Sequence, residues 1–478
     1  MTPAKAAHAG RARCVSSFRR ETDPGVIPHA HAHVLAVEAA LASAGVTRDQ
    51  VRELRCGYRP SLGQLRPVKD ALTETLGADG AAMEYMRLTG NQPGASRRLP
   101  ISSLHEFARE NALRYDEISA ARPIRMPAVP VFGDDSNQGY DATTRTVFSC
   151  VLADAVVSSK SNVILVDDRA LIDYQGDELQ RVPIDLAVDP ILFAPTGGYA
   201  TFAVESGAIN GAPMDEAIAL VGVNSFNYWH WHVEFLPRLL ACMDLPGFID
   251  VPILVDTQMP PQAMAALRFL IGDQHPVREL WPGEAVKVKR LWTGAMFTYM
   301  PLWPLAGVAY PPRTMVMDAD AFVAQIARME PALERLRTGG GLKRLYLARG
   351  SSQHRGMVNK LEVDAWFVAN GFEMVDFGVY AYEEQLRMVR DADVIVGPNG
   401  AALVNSLFAG SGTSIGILDN SFIEDNEWYA AVSEGLGQRL AFLVGDVVNA
   451  DPMYEFNANY RIDIDALPAF LAHLVAER

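Results

Sequence analysis

One segment near the C-terminus constrains the fold more than any other. It runs from Asp393 to Asn405 and reads Asp-Val-Ile-Val-Gly-Pro-Asn-Gly-Ala-Ala-Leu-Val-Asn. The first apolar run predicts a short buried strand, and the second predicts a helix, 401–409, that begins directly after Gly400. A strand that passes through glycines into a helix is typical of parallel α/β sheets, whose ligands bind beyond the carboxyl ends of the strands.

The flanking sequence predicts two units of this kind. Around the glycine-rich segment we expect strands at 344–348, 372–377 and 414–418, and helices at 359–370 and 382–390. Further upstream, a strand meander over 146–205 is followed by alternating strands and helices. We therefore expect an α/β chain with domains 146–312 and 313–478 on either side of a cleft. A mainly helical region, 1–145, precedes them and ends in a proline-rich linker at about 123–136.

The charge of the chain excludes some classes of partner. The net charge is −15, and this acidic balance argues against general nucleic-acid binding. Residues 1–69 are different, with eleven Lys or Arg against five Asp or Glu. A basic start is most simply a solvated face, and the alternative is docking on anionic lipid or on an acidic partner.

Cysteine spacing and hydropathy bear on the location of the protein. Its four cysteines lie far apart without a CxxC pair, which favours reduced thiols in the cytoplasm. No signal peptide or membrane-spanning run is recognised. We expect a cytoplasmic protein, at most peripheral at the inner membrane.

Charged and polar side chains converge on the predicted edge of the C-terminal sheet. Arg349 follows the strand 344–348, and Arg355 follows in a Gly/Ser-rich loop; guanidinium groups hold phosphate oxygens. Asn359 is either a helix cap or a ligand contact, and Glu384 either binds a hydroxyl group or compensates a helix dipole. The amides after Gly397 suit a diphosphate. The candidate phosphate- and ligand-binding residues at this edge are Arg349, Arg355, Asn359, Glu384, Gly397, Asn399, Gly400, Ala401 and Asn405.

A second group of candidates lies in the predicted helix 227–243. His230 and Glu234 are four residues apart and share a helix face, which suits a general base that takes a proton from a hydroxyl group. His232 points elsewhere, and neighbouring aromatic residues are expected in the core. Asn227, His232 and Arg238 are the further candidates on this side. Asp391-Ala-Asp393 has the DxD form of metal-binding transferases but precedes its strand, so we expect no metal site there.

Together the two segments resemble glycosyltransferase family 61, which in bacteria includes capsular-polysaccharide biosynthesis proteins. The resemblance runs from about 155 to 420. It implies a GT-B architecture of two Rossmann-like domains and an inverting sugar transfer that requires no metal or other cofactor. It also implies a nucleotide-sugar donor, commonly a UDP-sugar, on the C-terminal domain, and a saccharide or lipid-linked glycan as the acceptor. The matching residues are Asn227, Tyr228, His230, Trp231, Glu234, Leu236–Leu239, Tyr346, Leu347, Arg349, Arg355, Asn359, Gly371, Phe372, Glu384, Gln385, Ala392, Val396, Gly397, Gly400, Ala401, Leu403, Asn405 and Phe408.

The sequence departs from the family pattern at Asn399, where the family usually has histidine. An asparagine can donate a hydrogen bond to phosphate but carries no charge. A second departure is Lys360, where the family often has glutamate. Two other functions therefore stay open at this point. One is a non-catalytic scaffold or binding protein of the same fold, and the other is a nucleotide-sugar epimerase, which needs no acceptor.

Overall fold

The computed structural model is a mixed α/β fold. It describes residues 27–56, 62–243, 245–272, 274–298, 313–340, 343–350, 355–422, 426–449 and 457–476, to which all structural statements below refer. Residues 1–26 and 57–61 of the basic region 1–69, for which a docking role was considered, lie outside these residues. No helix among those described is long and apolar enough to cross a membrane.

An 11-stranded sheet dominates the described chain before residue 298. Its strands are β1 (Pro93–Ser103), β2 (Arg114–Ser119), β5 (Val147–Ser158), β6 (Ile164–Val166), β7 (Arg169–Ile172), β8 (Leu192–Thr196), β9 (Tyr199–Glu205), β10 (Met214–Leu220), β11 (Ile253–Asp256), β12 (Val277–Leu280) and β13 (Ala285–Gly294). The order is β12-β11-β10-β13-β5-β6-β7-β1-β9-β8, and β2 pairs with β5. β10 to β13 pair in parallel, whereas β13 pairs antiparallel to β5. The alternating strands and helices predicted here thus form only part of a mixed sheet.

Three helices precede this sheet: α1 (Ile27–Ser43), α2 (Arg48–Cys56) and α3 (Leu62–Leu88). Lys69 anchors them, because its buried ammonium group donates to the carbonyl oxygens of Ala187 and Asp189 at 2.8 and 2.6 Å.

The prediction of a mainly helical region up to residue 145 is wrong beyond these helices. β1 and β2 belong to the large sheet, since pairing with β7 and β9 fixes the Pro- and Ser-rich β1 as a strand despite its weak local preference.

The predicted proline-rich linker is also structured. It contains the strand β3 (Pro123–Met126), which pairs with β4 (Tyr140–Thr143). After β3, the amide of Phe132 donates to the carbonyl oxygen of Phe442 at 2.8 Å, and the amide of Phe442 donates to Pro130 at 2.8 Å. These bonds attach the segment to the C-terminal sheet, so it is not a free linker.

The C-terminal part forms a five-stranded parallel sheet. Its strands are β14 (Arg344–Leu347), β15 (Glu373–Val375), β16 (Val394–Pro398), β17 (Ser414–Asp419) and β18 (Arg439–Val444), and its helices include α12 (Lys360–Ala369), α13 (Tyr382–Asp391), α14 (Glu427–Gly435) and α15 (Leu467–Val475). The order β15-β14-β16-β17-β18 places the switch point between β14 and β16. The predicted elements are confirmed to within two residues, except that 401–408 is a 3₁₀ helix.

The two sheets share one apolar core. It includes a continuous helix, 228–243, between β10 and β11, and it extends to α13 and the 3₁₀ helix after Gly400. The remaining elements are α4 (Leu104–Asn111), α5 (Glu178–Arg181), α6 (Ser206–Asn210), α7 and α8 (Tyr228–His230 and Leu236–Met243, the two ends of the 228–243 helix), α9 (Pro261–Ile271), α10 (Ala319–Ala327), α11 (Glu330–Leu336), β19 (Asp446–Asn449) and β20 (Asn459–Arg461). This helix therefore connects the two candidate regions.

Candidate active site

The C-terminal candidates meet at the switch point of the five-stranded sheet. Arg349 lies two residues beyond β14, and Asn399 directly follows β16. Arg349 donates from Nη1 to the carbonyl oxygen of Asn399 at 3.0 Å, so the two loops are joined. Ligands of open α/β sheets bind at such a crevice, and the sequence placed both residues there correctly.

The two glycines of this segment have different roles. A Cβ atom on Gly397 would lie 2.9 Å from Cβ of Leu347, so glycine is needed for close packing of β16 on β14. Gly400 has an extended backbone, with φ 177°, and a Cβ there would make ordinary contact with Arg349 at 3.6 Å. The short 3₁₀ helix that starts at Ala401 replaces the predicted α-helix. Its first turn therefore offers fewer aligned amides to an anion than the sequence analysis expected.

A carboxylate that the sequence analysis missed lies beside the arginines. Asp419 is the last residue of β17, and its Oδ2 accepts from Nδ2 of Asn399 at 2.5 Å. Burial raises the pKa of Asp419, and Asn399, Arg355 and Arg349 oppose that shift. The position of Asp419 at the carboxyl end of a parallel strand was the signal that could have identified it.

The two arginines lie close enough to affect each other. Burial, followed by the charge of Arg355, lowers the pKa of Arg349. Arg355 has a left-handed backbone, with φ 54°, and its amide donates to the carbonyl oxygen of Asn457 at 2.8 Å. Its buried Nε has no hydrogen-bond partner among the described residues. Among the residues that the structure describes, the guanidinium groups of Arg349 and Arg355 and the carboxylate of Asp419 thus lie close together at this edge.

Three other C-terminal candidates have structural partners. Both ends of the Asn359 amide bind the backbone of Ile462, at 2.8 and 3.1 Å, so its side chain does not cap α12. Glu384 accepts from the amide of Ala381 at 3.0 Å and thereby caps its own helix. Asn405, which is fully buried, donates to Gln385 at 2.7 Å and accepts from the hydroxyl of Tyr228 at 2.8 Å. Asn405 thus joins the 228–243 helix to the C-terminal sheet.

The 228–243 helix contains a π-helical segment, Trp231–Phe235, which carries the predicted base. π-helical turns are frequent at functional sites. Asn227 caps the helix, since its Oδ1 accepts from the amide of Trp229 at 3.0 Å. Trp231 and Phe235 are buried in the core, as predicted.

His230 and Glu234 form the predicted pair. Nδ1 of His230 lies 2.9 Å from Oε2 of Glu234, and Nε2 of His230 lies 3.1 Å from Nδ2 of Asn224. Because an amide nitrogen can only donate, Nε2 accepts and Nδ1–H donates to the carboxylate. His230 therefore holds Glu234 in place, and the other oxygen, Oε1, is buried without a hydrogen-bond partner among the described residues.

His232 points away from this pair, as expected, but it lies at the contact between the sheets rather than on an acceptor side. Its Nδ1 lies 2.8 Å from the carbonyl oxygen of Tyr228, and its Nε2 lies 3.4 Å from the hydroxyl of Tyr382. Burial lowers the pKa of His232 to about 4, so the ring is neutral at pH 7. Its place between helices makes it a packing residue.

A cavity of about 120 Å³ lies next to Glu234. Arg238, one helical turn after Glu234, also lines it and is only 8% exposed. Nε of Arg238 and Oγ1 of Thr298 are buried there without hydrogen-bond partners among the described residues. The structure therefore places Arg238, a candidate of the acceptor side, at the same cavity as Glu234.

The start of the 228–243 helix connects the cavity beside Glu234 with the sheet edge that carries Arg349 and Arg355. The ring of Trp229 lies 4.9 Å from that of His230 and 5.1 Å from that of Trp428. Trp428 belongs to α14, and the charge of Arg355 acts on the adjacent Tyr429. Within the described part of the chain, no group of three or more His, Cys, Asp or Glu residues could hold a metal ion.

The comparison with protein families agrees with this arrangement. The family model described as Glycosyltransferase 61 matches residues 228–416, from the 228–243 helix to strand β17. The protein is therefore a glycosyltransferase. More narrowly, the chain carries a family 61 glycosyltransferase domain. None of the curated proteins matches the chain.

Proposed function

We propose that this glycosyltransferase moves a sugar from a nucleotide-sugar, a UDP-sugar, to a hydroxyl group of a saccharide or lipid-linked glycan, with inversion at the anomeric carbon. The observation that carries the proposal is the placement of two charged groups on facing elements. Arg349 and Arg355 lie at the switch point of the parallel sheet, and Glu234 lies on the helix that contacts this sheet. A GT-B-like arrangement places a donor and an acceptor on either side of such a contact.

The donor site of the proposal is the edge occupied by the two arginines. As the bond to the nucleotide breaks, negative charge builds up on the departing diphosphate, and Arg349 and Arg355 offset it. Because two guanidinium groups can provide this charge, the proposed reaction needs no metal ion. Asn399 is held by Asp419 and presents its backbone, rather than a charged ring, to Arg349.

Glu234 is the proposed general base. Its Oε1 is buried without a partner among the described residues, its side chain lines the cavity, and its Oε2 is fixed by His230. A carboxylate that is hydrogen-bonded at one oxygen and unpaired at the other can accept the proton of an attacking hydroxyl group. The role in capsular or surface polysaccharide synthesis follows from the family resemblance, and the separated cysteines support a cytoplasmic location.

The test is a thermal shift of the full chain against UDP, GDP, CMP and dTDP and their sugars, each with magnesium or with EDTA. A ligand at about 100 times its Kd adds roughly 2.7 kcal/mol to stability, a shift of several degrees. A shift with UDP compounds that is the same in EDTA is expected, and NMR of the product should show an inverted anomeric configuration. Retention of configuration, or a strict need for magnesium, would refute the corresponding part of the proposal.

A further inference from the structure

A second charged side chain, Arg238, lines the cavity beside Glu234, and its Nε is a hydrogen-bond donor without a partner among the described residues. We propose that Glu234 and Arg238 together hold the attacking hydroxyl group of the acceptor, and that the acceptor group in this cavity is a neutral polyol. The inference rests on the proposed function, since it specifies the substrate class of the same site. It extends that function by giving Arg238 a direct contact with the reacting oxygen.

The first support is that the unpaired atoms of Glu234 and Arg238 are complementary to a hydroxyl group. Oε1 of Glu234 can only accept a hydrogen bond from it, and Nε of Arg238 can only donate one. The two residues are four apart on one helix and therefore share a face. Leaving a buried charged donor or acceptor unpaired costs more than about 1–3 kcal/mol, so such a pair at one cavity indicates a ligand.

Thr298 adds a third open group to the same cavity. Its Oγ1 is buried without a partner among the described residues, and a hydroxyl can both donate and accept. A ligand with several hydroxyl groups could satisfy all three open atoms at once. A purely anionic group would leave Glu234 unsatisfied, and a purely cationic group would leave Arg238 unsatisfied.

The charges around the cavity also disfavour an anionic ligand. Arg145 already pairs with Asp173 at 2.7 Å and with Glu178 at 3.0 Å, so two carboxylates of the wall share its charge. Asp189, on another wall, accepts from the hydroxyl of Ser161 at 2.9 Å. Of the charged side chains that line the cavity, two are basic, Arg145 and Arg238, and four are acidic, Asp173, Asp185, Asp189 and Glu234. A carboxylate or phosphate on the acceptor would add a negative charge to a cavity whose acidic groups already outnumber its basic ones.

The step that follows is a balanced substitution. The acceptor oxygen forms a bond to the anomeric carbon as its proton passes to Oε1 of Glu234. The bond from the anomeric carbon to the diphosphate oxygen breaks, and the nucleoside diphosphate leaves with the electron pair. Negative charge grows on the attacking oxygen when the proton leaves, and the guanidinium group of Arg238 stabilises it there.

The first experiment compares Arg238→Ala with wild type and with Arg125→Ala, which changes an exposed arginine in the same way, as the matched control. With the donor identified by thermal shift, Arg238→Ala should lower turnover about 10²–10³-fold and raise the acceptor KM. The donor KM and the shift caused by UDP should stay unchanged. Millimolar guanidinium should restore part of the activity of Arg238→Ala, which it could not do if Arg238 only stabilised the fold. Unchanged turnover, or equal loss of UDP binding, overturns the role of Arg238.

The second experiment tests the class of acceptor with matched methyl glycosides. One is a neutral hexose, the second is the corresponding hexuronic acid, and the third is the corresponding 2-amino sugar. Wild type should release UDP faster with the neutral glycoside, and Thr298→Val should raise the KM for it. Equal or faster release with a charged member, or no response to the neutral one, overturns the polyol proposal. If wild type shows no shift with any nucleotide, the proposed function itself has failed, which is a separate outcome.

Discussion

His230 and Glu234 face each other across one turn of the 228–243 helix, with Nδ1 of the histidine 2.9 Å from Oε2 of the carboxylate. The bond that His230 accepts from Asn224 fixes its tautomer, so the ring donates to Glu234 and does not take a proton from it. The pair is therefore one base with a support rather than a relay of two bases.

Glu234→Gln tests this assignment. The amide keeps the shape of the side chain but cannot take a proton, so turnover should fall about 10²–10⁴-fold, as for loss of a general base. The shift in Tm caused by UDP should remain, because the donor site lies on the other sheet. Steady-state kinetics with thermal shift measures both. His230→Asn, which removes only the support, should cost less, and a greater loss with His230→Asn would contradict the assignment.

Arg349→Ala and Arg355→Ala should produce the opposite pattern. Each removes a charged donor to the diphosphate, and a hydrogen bond to a charged group contributes about 1.5–3 kcal/mol. We expect nucleotide Kd values raised by about tenfold or more, measured by calorimetry with UDP. Arg344→Ala is the control, since Arg344 lies at the opposite end of β14. Unchanged UDP affinity in both variants would move the donor site away from this edge.

Local sequence patterns predicted the C-terminal sheet well and the first part of the chain less well. The buried apolar run from Val394 to Val396 predicts strand β16, and Gly371 predicts the end of helix α12. Both signals lie within the local sequence. β1 carries no such pattern and is a strand only because two distant strands pair with it. No local rule could have revealed this.

In the candidate site, too, the sequence predicted the local contact but not the contacts between distant residues. The pairing of His230 with Glu234 follows from a spacing of four residues, so the sequence predicted it. The contact between Tyr228 and Asn405 joins residues 177 positions apart, and the sequence assigned Asn405 to the donor instead. Asp419 directly follows a predicted strand, but its contact with Asn399 becomes visible only when β16 and β17 are placed side by side.

Asp419→Asn should strengthen nucleotide binding. It removes a negative charge near both arginines while keeping an oxygen that can accept from Asn399, and a nearby charge changes binding by about 1 kcal/mol or more. We expect UDP affinity to rise about fivefold. Because burial raises the pKa of Asp419, the wild-type affinity should approach that of the variant as the pH falls and Asp419 is protonated. The ratio of the two Kd values across pH cancels the titration of UDP itself, and a ratio that does not change with pH would contradict this account.

His232 should make the stability of the fold depend on pH in a defined window. Its folded pKa is about 4, against about 6.5 for an unperturbed histidine, because burial disfavours the charged ring. The unfolded chain therefore binds more protons between these values, and stability is present above about pH 6.5 and lost as the pH falls toward 4. The loss from this residue amounts to at most about 3–4 kcal/mol. His232→Asn retains a donor for the carbonyl oxygen of Tyr228 but cannot be protonated, so its Tm should fall less than that of wild type between pH 7 and pH 4.5. Differential scanning calorimetry of the two proteins measures this difference. The carboxylates that titrate at low pH lower the Tm of both proteins alike, so their effect cancels in the comparison. Parallel Tm curves would show that the ring of His232 does not stay buried and neutral at the contact between the two sheets.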